Sequence, residues 1–61
     1  MSDIERLNYA ISELGKLNSI INVSIQHLAP IQPRASGNLI EGIELLRQAR
    51  KKLENARLIL K

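Results

Sequence analysis

The sequence predicts an all-α fold: an antiparallel two-helix hairpin that assembles with further copies into a homo-oligomeric helical bundle or ring. Three observations carry that prediction. Helix-breaking residues are confined to the middle of the chain, where Pro30, Pro33 and Gly37 fall within eight residues. The apolar residues on either side recur with heptad spacing. The 61 residues hold ten Leu and nine Ile but no cysteine, Phe or Trp, a composition suited to packing helices together.

The first helix is expected over about residues 3–28. Ser2-Asp3-Ile4-Glu5 forms a capping box, in which Ser2 accepts from an early N–H and Glu5 reaches back. Pro30 disfavours helical geometry at Ala29, so the element should stop near Leu28. Ile21-Asn22-Val23-Ser24-Ile25 alternates like a strand, but no second strand exists to pair with it, so helix is retained.

The loop is expected over 29–37 and the second helix over about 38–60, the whole of 1–61 making one domain. Asn38 is the expected cap of the second helix, with Ser36 as its competitor. Glu41 and Glu44 then lie in its first two turns and Arg57 and Lys61 in its last, as the helix dipole prefers.

The heptads set a register. Ile4, Ile11, Asn18 and Ile25 form one series of the first helix; Leu7, Leu14, Ile21 and Leu28 form the other. On the second helix the series are Leu39, Leu46, Leu53 and Leu60, and Gly42, Ala49 and Ala56. Folding back pairs Ile4 with Leu60, Ile11 with Leu53, Asn18 with Leu46 and Ile25 with Leu39. It also sets Leu7 against Ala56, Leu14 against Ala49 and Ile21 against Gly42, so a large residue meets a small one and the helices approach closely. Asn18 is the polar member of this seam. It either helps specify register and oligomer state, as seam Asn residues do in coiled coils, or only satisfies a backbone group or water.

A lone chain of this size buries only about 60% of the surface its unfolded form exposes, so its stability would be marginal. Without cysteine, and with one His lacking nearby acids, disulfides and metals offer no compensation. The off-seam residues Leu17, Ile20 and Val23 of the first helix, and Ile40, Ile43, Leu45, Leu58 and Ile59 of the second, are therefore expected to form an oligomer or partner surface.

Chemistry has little to work with. His27 has Ser24 one turn before it but no acid to orient the ring, so no enzyme and no cofactor are expected. The N-terminus lacks a signal peptide's layout and no apolar run is long enough to span a membrane, which places the protein in the cytoplasm. Charge is uneven: residues 1–30 hold two Lys/Arg and three acids, 31–61 seven and three. Arg50–Glu54 and Glu54–Arg57 are helix-neighbour pairs, whereas Arg47 and Lys51 stand one turn apart without an acid. That basic edge is either a partner surface or a solvated face. One Tyr is too few for general single-strand nucleic-acid binding, and no helix-turn-helix spacing suggests sequence-specific DNA reading. Arg34, Ser36, Gly37 and Asn38, ahead of a helix N-terminus, either receive an anion such as a phosphate or form a capped connector.

The segment Leu39-Ile40-Glu41-Gly42-Ile43-Glu44-Leu45-Leu46-Arg47-Gln48-Ala49, following a Pro-containing loop with Arg34, resembles the second helix of a phage protein family. These are the small helical-hairpin sponge proteins that sequester cyclic oligonucleotide signals of bacterial anti-phage defence. Leu39, Gly42, Leu46 and Ala49 carry the match, which covers about a third of the chain. The chain departs from the family in lacking its extra N-terminal segment and its aromatic content. The resemblance implies a ring-like homo-oligomer holding an anionic cyclic nucleotide between subunits, with Tyr9 as stacking group and Arg34 as phosphate contact. The residues themselves lead first to a small self-associating hairpin that acts by binding a partner protein, as adaptor, chaperone-like module or inhibitor. Sequestration of a cyclic oligonucleotide is the alternative, and an oligomerisation segment of a larger assembly the third.

Overall fold

The computed structural model describes residues 1–60; the basic end at Lys61 lies outside the described residues. Two helices, α1 (Asp3–Leu28) and α2 (Pro33–Leu60), pack against each other as an antiparallel hairpin. The molecule measures 46 × 17 × 10 Å, a slab one helix thick.

Helix α1 begins as its capping box requires. The Glu5 N–H donates to Ser2 Oγ at 3.1 Å, and the Ser2 N–H donates to Glu5 Oε1 at 3.0 Å. The Ser2 backbone N–H, and after it the Ser2 hydroxyl, hold the Glu5 carboxyl below the usual glutamate range. Asp3, also in the first turn, pairs with Arg6 at 2.8 Å. The helix ends at Leu28, yet Ala29 keeps right-handed helical angles (φ −51°, ψ −46°) and donates to the Ile25 carbonyl at 2.9 Å. Termination therefore comes from Pro30 itself, which has no N–H to continue the ladder.

The connector is shorter than expected. It spans residues 29–32, not 29–37, because α2 starts at Pro33. Both Ile31 and Gln32 donate to the Leu28 carbonyl, at 3.0 and 2.7 Å, which closes the reversal in one tight turn. Gln32 occupies the cap position, its carbonyl accepting the Ser36 N–H at 3.0 Å. Proline is favoured at the first helical position, where its missing N–H costs nothing and its fixed φ is already helical. The expected caps Ser36 and Asn38 consequently lie inside the helix, as does Gly37, and no glycine has positive φ. Glu41 and Glu44 move into the third turn, so the dipole argument for them lapses, and the first turn carries Arg34 and no acid.

The seam of α1 follows the heptads. Ile11 is buried at 6% exposure, while Ile4, Leu7, Leu14, Asn18, Ile21, Ile25 and Leu28 are half-buried. On α2 the Leu39, Leu46 and Leu53 series is half-buried as expected, but Leu60 is exposed. The companion series is displaced by one position. Ser36 and Ile43 are buried, at 5% and 7%, and Ala49 is exposed. Ile43, expected on the outer partner surface, is a core residue. The reason is area: turning α2 slightly inserts an isoleucine where the expected register placed a glycine, burying more apolar surface. A Cβ added at Gly42 would meet nothing within 4 Å, so the close Ile21–Gly42 layer is not formed.

Candidate functional site

Slab geometry gives the hairpin two broad faces, and helical periodicity assigns residues to each. On one face, Arg57 Nη1 donates to Asn8 Oδ1 at 2.7 Å, a bond that ties α2 to α1 near the open end. One heptad further along, a Cβ added at Gly15 would lie 3.5 Å from an Arg50 guanidinium nitrogen. The two arginines thus reach across the seam on the same side, their guanidiniums at Asn8 and Gly15 of α1. Neither capping chemistry nor the apolar pattern of the sequence singles out Asn8 or Gly15. Their heptad spacing, matched to that of Arg50 and Arg57, was the available signal.

Beside these contacts is a notch of about 80 Å³ lined by Leu14, Asn18, Leu46, Arg47 and Arg50. Its guanidiniums are neutralised locally: Arg47 pairs with Glu44 at 3.1 Å and Arg50 with Glu54 at 3.2 Å. Arg47, expected to lack an acid, therefore has one. Arg57, expected to pair with Glu54, instead bonds Asn8. Lys51 and Lys52 enter none of the four ion pairs among the described residues, and with Gln48 and Asn55 they line a shallow polar depression on the outside of α2. Asn18 is half-buried at the notch, level with Leu46. This face is polar and basic, interrupted by exposed Ile40 and Leu58.

The opposite face mixes apolar with polar residues. From α1 it presents Ala10, Leu17 and Ile20 with Arg6, Glu13 and Ser24; from α2, Gly42, Leu45, Ala49 and Ala56 with Asn38 and Lys52. Leu17, Ile20 and Leu45 are 46%, 62% and 66% exposed. Val23, Tyr9 and Ile59 stand exposed at its outer margins. The expected partner residues therefore divide: Ile43 leaves the surface, Ile40, Arg47, Lys51 and Leu58 share the polar face, and Leu17, Ile20 and Leu45 share the apolar one.

The candidate anion contacts do not converge within one chain. Tyr9 lies roughly 30 Å along the helix axis from the turn that carries Arg34. Ser36 is buried, and its N–H is committed to Gln32, as helix geometry likewise commits those of Gly37 and Asn38. Among the first helical residues that leaves the N–H groups of Arg34 and Ala35 without a helical acceptor. Exposed His27 forms no metal-binding group, nor does any other cluster of three His, Asp or Glu residues among the described residues. No described helix is long and apolar enough to cross a membrane.

No family model, curated protein or solved structure matches this chain.

Proposed function

We propose that the chain is a non-catalytic, self-associating helical hairpin that works by binding protein. One observation carries the reading: among the described residues only Ile11 and Ile43 are buried large apolar side chains, whereas eleven others stand exposed. A full burial of a Leu or Ile contributes about 1.5–3 kcal/mol, so a single hairpin leaves most of its available stabilisation unused. Association recovers it. The polar face, with Arg47 and Lys51 beside Ile40 and Leu58, then remains for a partner protein carrying acidic and apolar groups.

Size-exclusion chromatography with light scattering tests this directly. A species of at least twice the 6.9 kDa chain mass at micromolar concentration supports it, and a clean monomer overturns it. The alternative, a sponge for anionic cyclic oligonucleotides, has weaker geometric support because Tyr9 and Arg34 meet only if different copies bring them together. It predicts a raised melting point with cyclic di- or trinucleotides, which protein-binding alone does not.

A further inference from the structure

We infer that the apolar face is the contact between two copies of this chain, with α1 of one copy laid over α2 of the other. The inference deepens the self-association reading and rests on it. Two observations commit the occupant to a second copy. First, a compact monomer of 6.9 kDa exposes about 4,000 Å², while this hairpin exposes 4831 Å². The surplus of about 800 Å² is what one partner contributes to an interface of standard size. A slab 10 Å thick carries that surplus because it is a single layer, and a second slab supplies the missing one.

Second, the face is complementary to itself. Its α1 half carries Leu17 and Ile20 with the acid Glu13, and its α2 half carries Gly42, Ala49 and Ala56 with Leu45 and the base Lys52. A two-fold axis parallel to the helices sets each α1 over the partner copy's α2 and keeps all neighbouring helices antiparallel. The hairpin's own register, set by Asn8 against Arg57 and Asn18 against Leu46, then brings Leu17 to a level between Leu45 and Ala49, and Ile20 level with Leu45. The polar face offers no such match, since arginines lie across its seam.

Ala49→Glu tests the face. Ala49 is exposed in the single hairpin, so the substitution leaves the intrachain core untouched and places a charge in the inferred contact. Light scattering and circular dichroism are expected to show a dimer for the wild type, and association weakened at least about tenfold in the variant. Ile40→Glu, on the polar face, should leave the dimer intact. A monomeric wild type overturns the inference together with the self-association reading. A dimer that survives Ala49→Glu but is lost in Ile40→Glu overturns the face alone. Because the chain has no cysteine, cross-linking gives an independent readout that does not depend on how Ala49→Glu folds. Leu17→Cys chains mixed with Ala49→Cys chains should form a mixed disulfide under oxidation. A Ser19→Cys and Arg47→Cys mixture, matched in level but on the polar face, should not, and the reverse pattern overturns the inference.

Discussion

At the residue scale, the start of α1 is the best-determined point in the chain. Ser2 and Glu5 exchange two hydrogen bonds, and Ser2→Ala should cost roughly 0.5–2 kcal/mol of stability, measurable by urea melting. The Glu5 carboxyl is held low by the backbone N–H and the hydroxyl of Ser2. A depressed carboxylate contributes its stabilisation fully above the unfolded pKa and loses it as pH falls through the folded one. Helix content near the N-terminus, followed by amide exchange, should therefore drop on acidification below the usual glutamate range in the wild type. Glu5→Gln should flatten that response. Gly37 gives a prediction of opposite sign. It sits in α2 with open space around its Cα, so Gly37→Ala should stabilise by about 0.5–1 kcal/mol.

At the element scale, the contest between Gly42 and Ile43 determined how α2 turns toward α1. Both positions fit a heptad beside Leu39, Leu46 and Leu53, and sequence spacing alone favours neither strongly. Only packing shows that Ile43 wins, since an isoleucine contributes apolar area and a glycine contributes none. Arg50 and Arg57 tolerate the resulting inward turn because their stems are apolar and their guanidiniums reach Glu54 and Asn8. The consequence is measurable by chemical denaturation. Ile43→Ala should cost about 2–5 kcal/mol, whereas Ile40→Ala, exposed on the polar face, should stay within about 0.5 kcal/mol. The start of α2 departs from the sequence expectation for a related reason. Pro33 looked like punctuation, and a proline at a first helical position differs from a loop proline only in the turn that precedes it.

At the scale of the whole molecule, the hairpin is a single layer of two helices. Among the described residues two buried isoleucines make a small core, and the exposed apolar side chains are spread over both faces, the margins and the connector. If folding and association are coupled, stability depends on protein concentration. The melting temperature should rise as concentration increases from micromolar to millimolar, in scans at otherwise fixed conditions. A melting temperature independent of concentration would leave the hairpin as a self-sufficient monomer.

The sequence by itself determined the helix class, the capping box at Ser2, the end of α1 at Leu28 and the antiparallel sense. Each follows from local rules: spacing of Leu and Ile, the chemistry of a few capping atoms and the clustering of two prolines. The level at which the helices pair was also legible to within about one residue, since Asn8 meets Arg57 and Asn18 lies level with Leu46. Tertiary structure decided the rest: the rotation of α2 that buries Ile43, the Arg57–Asn8 tie, the committed N–H groups at Ser36, Gly37 and Asn38, and the separation of Tyr9 from Arg34. Those depend on which of several permitted contacts buries the most area, and that comparison exists only once both helices are in place.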